Sequence, residues 1–268
     1  FMLDRNQLKI LTSQVEHIVQ EVGFYALEKQ RQAKISVDKG KGDYATDVDI
    51  ECERQIVQLL KLQDKRFPVY TEEENIKPDD GIYWVVDPID GTKNYFKGLA
   101  LWSVNIALYD SESKAIVLGV VFFPKLGEIF SAYKGGGAKL NGYDIKPSST
   151  MKLSDAFVYT ELPNADSTDE AMLEFNNLIR STRRIRGWGI AAALCYTANG
   201  AFDAHFDFSG TTKPFDIYAP LIIAQEAGCR VSGFSDGRVG TILKVTNPVL
   251  NSQSFSTNGQ YSFWGYLL

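Results

Sequence analysis

The chain has 268 residues, 44% of them hydrophobic, and its formal net charge is -5 at pH 7. This apolar content is enough for a large buried core, which excludes a disordered protein. The acidic balance argues against nucleic acid as a partner, because nonspecific binding normally requires a basic surface. No apolar run approaches the ~20 residues of a membrane span, and no secretory signal pattern is present. We therefore expect a cytoplasmic protein with no membrane partner.

The first third of the chain reads as two helices followed by a buried strand. Apolar residues at helical spacing predict a long helix over residues 3–32 and a second one over residues 51–62. A glycine-rich turn is expected between them, at residues 39–49. Residues 82–86 are mostly β-branched and aromatic, which predicts a strand buried in a sheet. Pro88 should end this strand, because proline has no backbone N–H to donate.

Beyond residue 100 the pattern changes to short strands and then to alternating strands and helices. Strands are predicted at residues 104–109, 115–123, 128–133, 157–161, 201–206 and 229–234. Helices are predicted at residues 171–181, 190–199 and 217–227. Since no repeat or linker stands out, we expect one domain over residues 1–268, with approximate halves at 1–150 and 151–268.

The most informative segment is the end of the strand at residues 82–86, where two carboxylates precede a Gly-Thr turn. Asp87 and Asp90 would repel each other and raise each other's pKa unless they share a cation. A hard divalent ion such as Mg²⁺ fits best, because it prefers oxygen ligands. Gly91 lets a backbone amide approach a phosphate closely, and Thr92 adds a hydroxyl. This pattern predicts a site for metal and phosphate.

The two aspartates and the turn after them have two other interpretations. Asp-Pro and Asp-Gly are ordinary turn formers, so the segment alone is compatible with a surface turn. Haloacid-dehalogenase phosphatases also carry two aspartates after a strand, but with a single residue between them. Here Pro88 and Ile89 both intervene, and proline cannot act as the nucleophile.

Three further motifs accompany this segment in chain order, and together they resemble one family. The motifs are Thr46 and Asp49 before a helix, Glu72 and Glu73 after a short apolar run, Asp87 to Thr92 with Asn94, and Phe215 with Asp216 at a helix start. The chain resembles the inositol monophosphatases, within the wider group of metal-dependent, often lithium-sensitive sugar phosphatases. The resemblance covers almost the whole chain and implies an α+β fold, a layered α-β-α-β-α sandwich.

The resemblance also implies a set of metal ligands. Glu73, Asp87 and the Ile89 carbonyl would hold one ion, and Asp87 would bridge to a second ion held by Asp90 and Asp216. Two or three Mg²⁺ ions are expected as cofactors. Mn²⁺ is expected as a substitute, and Li⁺ and Ca²⁺ as inhibitors. Four converging carboxylates would repel one another strongly without such cations, so this assignment is physically reasonable.

The implied activity is hydrolysis of a small phosphate monoester by a metal-activated water, without a covalent intermediate. Thr92 and Asp49 resemble the family's pair that orients the water, while Glu73 would accept its proton. The amides of Gly91 and Thr92 would hold phosphate oxygens. Lys39 matches the lysine of the family's mobile loop near the metals. The expected partners are a small phosphorylated substrate and a second copy of the chain in a homodimer.

Several of these residues have ordinary structural alternatives. Asp216 and Asp49 could cap the helices that follow them. Glu72 and Glu73 could belong to a solvated charge run, and Lys39 could be a plain loop lysine. These alternatives stay open at the level of sequence.

The substrate side departs from the family pattern. Gly189, Ile190, Ala191 and Asp207 match substrate-binding positions, but Ile190 replaces a common Thr or Ser, and Asp207 is one methylene shorter than the usual Glu. The stretch at residues 208–215 is longer than usual. We therefore expect several leaving groups to be tolerated. NADP, phosphoadenosine phosphate and fructose bisphosphate remain alternative substrates, and binding to the transcription machinery remains an alternative role.

Overall fold

The computed structural model describes residues 3–40, 43–182, 184–187, 189–235, 237–250, 256–257 and 261–262. Within these ranges the α-helices are α1 (Arg5–Lys29), α2 (Asp47–Gln63), α3 (Thr92–Phe96), α4 (Asp169–Ser181), α5 (Ile190–Ala198) and α6 (Pro214–Ala227). A hairpin of β1 (Ile35–Gly40) and β2 (Asp43–Thr46) lies between α1 and α2. No helix in the described ranges has both the length and the apolar character needed to cross a membrane.

Two larger sheets follow. The first sheet contains seven strands in chain order, β3 (Val69–Thr71), β4 (Ile82–Asp90), β5 (Ser103–Asp110), β6 (Ala115–Phe123), β7 (Glu128–Tyr133), β8 (Ala138–Leu140) and β9 (Tyr143–Asp144). Strand β3 is parallel to β4, and the other neighbours are antiparallel. From β5 to β9 the strands follow one another by short turns, so this part of the sheet forms from local connections.

The second sheet has five strands in the order β11-β10-β12-β14-β13. Its members are β10 (Phe157–Glu161), β11 (Arg184–Arg186), β12 (Ala204–Asp207), β13 (Arg230–Ser235) and β14 (Arg238–Thr246). Strand β10 is parallel to β11 and β12, whereas β14 is antiparallel to β12 and β13. Near the C-terminus, β15 (Ser256–Thr257) pairs with β16 (Tyr261–Ser262).

The helices and the two larger sheets stack in five layers. Helices α1 and α2 cover one face of the seven-stranded sheet, and α5 and α6 lie between its other face and the five-stranded sheet. Helix α4 covers the outer face of the five-stranded sheet. Alternation along β4 shows how the sequence specifies this arrangement: Trp84 and Val86 pack toward α1 and α2, whereas Tyr83 and Val85 pack toward α6. The predicted α-β-α-β-α sandwich is confirmed.

Some predicted boundaries were wrong. Strand β4 does not end before Pro88 but continues to Asp90. The ladder pairs Asp87 with Asn105 and Asp90 with Ser103, and its register shifts between these pairs. Pro88 lies in this bulge, where its missing N–H interrupts no regular pairing. The turn predicted at residues 39–49 is instead a hairpin that leads into α2, and strand β14 was not predicted at all.

Helix α6 lies very close to the seven-stranded sheet at Gly119 on β6. A Cβ atom at this glycine would lie 2.5 Å from the Ala219 carbonyl oxygen and 2.5 Å from a methyl group of Ile222. Only a residue without a side chain allows this approach. The position of α6 matters for the site described next, because its first turn carries Asp216.

Candidate active site

Three aspartates from two distant segments converge at the end of β4. Asp87, Asp90 and Asp216 each offer a carboxylate oxygen, and these oxygens all lie within 4.8 Å of one another. Residues three positions apart on a regular strand point to opposite faces. The bulge between Asp87 and Asp90 changes this register, so both aspartates reach the same cluster. The sequence predicts the end of the strand at this point. The structure has a bulge there instead, and this bulge directs both carboxylates to the same cluster.

Asp216 enters the cluster from the first turn of α6. Pro214 stands at the start of the helix, where a missing N–H costs nothing. The Asp216 carboxylate accepts the backbone N–H of Lys213 at 2.7 Å. Asp216 is therefore not the N-cap considered from sequence: the N-cap is Lys213, and Asp216 is the third helical residue, which bonds back to it while also belonging to the acidic cluster.

The three aspartates are strongly perturbed in the absence of a cation. Burial, and then the charge of Glu72, raise the pKa of Asp87 well above its ordinary value, while burial and the charge of Asp216 do the same for Asp90. Burial raises the pKa of Asp216 to about 7. Carboxyl groups that are crowded and buried in this way favour the protonated form unless a cation balances their charge.

This donor set fits a hard divalent cation. All three side chains supply oxygen, and the Ile89 carbonyl lies in the same bulge. A cation would relieve the repulsion that raises the pKa values of Asp87 and Asp90. The described residues offer no His or Cys within this cluster, so soft metals are less suited to it.

Thr92 and Asp49 are in direct contact although 43 positions separate them. The Thr92 hydroxyl donates to an Asp49 carboxylate oxygen at 3.0 Å and also lies 3.1 Å from the Ile89 carbonyl oxygen. Asp49 is 1% exposed, and burial raises its pKa to about 6. Its other oxygen accepts both the backbone N–H of Thr46, at 3.0 Å, and the Thr46 hydroxyl. The helix-capping role and the contact with Thr92 are thus both present.

Glu73 lies outside the aspartate cluster and is paired with a lysine. The Lys39 ammonium on β1 lies 2.8 Å from a Glu73 oxygen and 3.1 Å from a Glu72 oxygen. Burial disfavours the charged ammonium, but its bonds with Glu73 and Glu72 outweigh that effect and raise the pKa of Lys39. A cavity of about 710 Å³ opens beside these side chains. Lys39 therefore provides positive charge beside Glu73.

The segments expected to contact the leaving group meet on the other side of the cluster. The Ala191 backbone N–H at the start of α5 donates to the Asp90 carboxylate. Ile190 is buried, 7% exposed, and Gly189 has a φ of 148°, a conformation that favours glycine. The start of α5 is therefore adjacent to the aspartate cluster, and the Ala191 amide is hydrogen-bonded to Asp90.

Asp207 is buried, and its carboxylate is occupied by its own loop. One oxygen accepts the backbone N–H of Ser209 at 2.8 Å and the Ser209 hydroxyl at 2.7 Å. The other oxygen accepts the Thr212 hydroxyl. The extension that follows β12 is thus folded back onto Asp207.

Sequence reasoning missed two acidic residues near the site. Glu53 on α2 is buried, 4% exposed, and accepts backbone N–H groups of the turn that carries Glu73. Glu161 ends β10, where burial raises its pKa to about 7 and it accepts the N–H of Gly189. A carboxylate at the end of a predicted strand was available as a signal for Glu161, because the same signal identified Asp87. Glu53 lies one helical turn after Asp49, which could have drawn attention to it.

The sequence comparison identifies the family. Residues 7–261 match the model of the inositol monophosphatase family. The chain belongs to this family. The resemblance given by the four motifs is therefore confirmed.

Relatives of known name and structure agree with this assignment. The chain is 32% identical over 233 residues to the protein named Nus factor SuhB of Haemophilus influenzae, covering 83% of this chain and 85% of the relative. It is 36% identical over 208 residues to the fructose-1,6-bisphosphatase/inositol-1-monophosphatase of Thermotoga maritima, covering 75% of this chain and 76% of the relative. The crystal structure of the extragenic suppressor protein suhB of Bartonella henselae has a TM-score of 0.80 at 25% identity, covering 90% of this chain and 95% of that chain.

Proposed function

We propose that the protein is a Mg²⁺-dependent phosphatase that hydrolyses small phosphate monoesters. The observation that carries this proposal is the convergence of Asp87, Asp90 and Asp216 within 4.8 Å. The adjacent contact between Thr92 and Asp49 supports it further, since a hydroxyl fixed by a buried carboxylate can orient a water molecule.

The proposed metal ligands are those expected from the family. Asp87 would be shared between two ions, one also held by Glu73 and the Ile89 carbonyl, and the other by Asp90 and Asp216. Bound divalent ions supply positive charge that polarises the phosphate and acidifies a water molecule. Mn²⁺ is proposed as a substitute, and Li⁺ and Ca²⁺ as inhibitors.

The remaining residues divide the work of positioning. Thr92, held by Asp49, orients the attacking water, and Glu73 accepts its proton. The backbone N–H groups of Gly91 and Thr92 at the start of α3 hold phosphate oxygens. Gly91 suits this role because its φ of 79° belongs to the left-handed region that favours glycine. Lys39, which lies on the hairpin of β1 and β2, adds positive charge beside Glu73.

The leaving-group side is proposed to accept several alcohols. Ile190 presents no hydroxyl, and the donors already bound to Asp207 leave it less able to discriminate by hydroxyl groups. Strong discrimination requires a site whose polar groups are left unpaired by the wrong substrate. The Thermotoga maritima relative, whose name includes two sugar phosphate substrates, supports a broad specificity.

The test is a hydrolysis assay with inositol-1-phosphate, fructose-1,6-bisphosphate, NADP and phosphoadenosine phosphate. We expect activity with Mg²⁺, none after thorough chelation, and kcat/KM values of similar size for at least two different esters. Asp87→Asn should abolish hydrolysis of every ester. Full activity in EDTA would exclude the metal assignment. A preference of about 10⁴-fold for one ester would exclude the proposed tolerance, because a preference of that size requires dedicated hydrogen bonds.

A second candidate function is binding to the transcription machinery. The relative named Nus factor SuhB favours it, and the sequence left this role open, because the net charge argues only against nucleic acid as a partner. Affinity capture of purified transcription elongation proteins by wild type and by Asp87→Asn tests this role. Equal capture by both forms, with a measured affinity, supports a role independent of hydrolysis. Absence of binding by either form excludes it.

A cytoplasmic homodimer is the proposed state. Size-exclusion chromatography with light scattering tests the oligomeric part of this proposal. A mass near twice 29.9 kDa is expected, whereas a mass near 29.9 kDa would contradict it.

A further inference from the structure

We propose that Glu53 is a positioning residue that sets the geometry of Glu73 for metal binding. This inference rests on the proposed function. The Glu53 side chain is buried on α2, with 4% of the residue exposed. One of its carboxylate oxygens accepts the backbone N–H of Glu73 at 2.9 Å, and the other accepts the backbone N–H of Glu74 at 3.2 Å.

Among the described residues, the donors to Glu53 come from one short segment. The side chain of Thr71, at the end of β3, also donates to the Glu53 carboxylate. Three groups between residues 71 and 74 are therefore tied to a single buried carboxylate. Burying a carboxylate is costly unless such bonds compensate it, so this arrangement is a strong restraint on the turn that carries Glu73.

Helix α2 connects this restraint to the rest of the site. Asp49 and Glu53 are one helical turn apart and therefore share a face of α2. Asp49 accepts the Thr92 hydroxyl at 3.0 Å, while Glu53 holds the turn of Glu73. A single turn of one helix thus sets both the group that orients water and a metal ligand. Cys52 and Ile56 anchor this part of α2, since both are fully buried in the core under the seven-stranded sheet.

The restraint on Glu73 acts on its backbone. Lys39 contacts the Glu73 carboxylate itself and is carried by the hairpin of β1 and β2. Glu53 instead fixes the main chain from which the Glu73 side chain projects. Loss of Glu53 should therefore weaken metal binding even though Glu53 does not belong to the ligand set.

The test is Mn²⁺ binding to the full chain, measured by calorimetry and by electron paramagnetic resonance. Glu53→Gln keeps the size of the side chain but replaces one acceptor oxygen with an NH₂ group, which cannot accept the second backbone N–H. We expect Mn²⁺ to bind about 10-fold more weakly or worse, the usual effect of losing a residue that orients a ligand. The Mg²⁺ concentration for half-maximal activity should rise by a similar factor, with a smaller change in kcat at saturating Mg²⁺.

Asp203→Asn is the matched control. Asp203 is also a buried carboxylate, 8% exposed, and it accepts the Phe157 backbone N–H at 2.6 Å and the Ser148 hydroxyl at 2.5 Å. None of these groups belongs to the proposed metal site. Both Asp203→Asn and Glu53→Gln should lower Tm. Only Glu53→Gln should change the affinity for Mn²⁺.

Two results would overturn the inference. These are wild-type Mn²⁺ affinity in Glu53→Gln, and equal weakening by Asp203→Asn. If Glu53→Gln does not fold, Thr71→Val removes only the side-chain donor and should weaken Mn²⁺ binding about 2-fold to 3-fold, a mild form of the same effect. Unchanged affinity in Thr71→Val would then contradict the inference. If the wild type neither binds a divalent ion nor hydrolyses an ester, the proposed function itself fails.

Discussion

At the scale of single residues, the contact between Thr92 and Asp49 is the most direct target. Thr92→Val removes the hydroxyl that donates to Asp49 but keeps the shape of the side chain. We expect kcat to fall by about 10²-fold or more, because a group that orients the attacking water is lost. Mn²⁺ affinity should change much less, since the aspartate cluster is untouched. Steady-state kinetics at saturating Mg²⁺ measure the first effect, and calorimetry the second.

A double mutant checks whether the pair acts as a unit. Asp49→Asn should lower kcat to a similar extent, and Thr92→Val combined with Asp49→Asn should add little. Assays must run well below Tm, because Asp49 also accepts the Thr46 N–H at the start of α2. Multiplying losses in the double mutant would show that the two residues act separately.

His205 gives a pH-dependent prediction at the same scale. Burial lowers the pKa of His205 to about 4, although the charge of Asp207 and a hydrogen bond with the Tyr159 backbone act in the opposite direction. The unfolded chain therefore binds a proton below pH ~6.5 that the folded protein excludes until about pH 4. Stability due to His205 is thus present above this window and lost as the pH falls through it.

We expect His205→Leu to be less sensitive to acid than the wild type. The drop in Tm between pH 7 and pH 5 should be smaller in the variant by roughly 5 °C, as measured by differential scanning calorimetry. At pH 7 the variant should be close to the wild type in stability, because His205 is buried and neutral there. The quantity to compare is the drop in Tm of the variant relative to that of the wild type. This comparison is needed because the buried carboxyl groups of the aspartate cluster change stability with pH in the opposite direction in both proteins. Equal drops would exclude a buried neutral His205.

At the scale of elements, the packing of α6 on β6 is the critical contact. Gly119→Ala would place a Cβ atom 2.5 Å from the Ala219 carbonyl oxygen, so α6 or β6 must shift. We expect the free energy of unfolding to fall by about 1–3 kcal/mol, as for other overpacked cores. Because α6 begins at Pro214 and carries Asp216 in its first turn, Mn²⁺ affinity should fall as well.

The matched control for this change is Gly240→Ala on β14. The three atoms nearest to a Cβ there would all belong to Gly233, at 3.4 Å or more. Guanidinium unfolding curves should show a much smaller loss for Gly240→Ala than for Gly119→Ala. Equal stability of Gly119→Ala and the wild type would mean that α6 does not press on β6 as closely as described.

Elements with strong local patterns were predictable from sequence, and those that depend on pairing were not. The structure has β6 and β7 at their predicted ranges, because alternation is a local signal. A two-residue turn forms at Asn141 and Gly142, because Asn-Gly favours such turns. The continuation of β4 through Pro88 was not predictable, because a bulge depends on the register with β5. Strand β14 was not predicted, although Leu243 and Val245 alternate with Lys244, and its place in the sheet depends on pairing with β12 and β13.

The site shows the same division. The strand-end pattern pointed to Asp87 and Asp90, and the family resemblance added Asp216 from 126 positions further on. The roles of Glu53 and of the Asp207 loop depend on hydrogen bonds between side chains and backbone in three dimensions. Such bonds leave no periodic signal in a single sequence, so they were visible only in the folded chain.

At the scale of the whole molecule, α6 joins the two larger sheets. It packs against β4 to β8 of the seven-stranded sheet and against β13 and β14 of the five-stranded sheet. The two halves expected at residues 1–150 and 151–268 should therefore not unfold independently. We expect a single calorimetric transition in metal-free protein, with equal calorimetric and van't Hoff enthalpies. Two resolved transitions would show that the halves are separate domains.

The loop after β12 is bonded to Asp207, the last residue of that strand. Ser209 and Thr212 are bonded to Asp207, and the side chains of Asn164 and Ser167 donate to the carbonyl groups of Ser209 and Phe208, so the loop is held by its own residues and by the segment before α4. The aspartate cluster is built elsewhere, from β4 and the first turn of α6. If the proposed function holds, substitutions in this loop would change which alcohols are accepted while the aspartate cluster stays in place. A lineage would then reach new substrates through a few changes around one unchanged group of carboxylates.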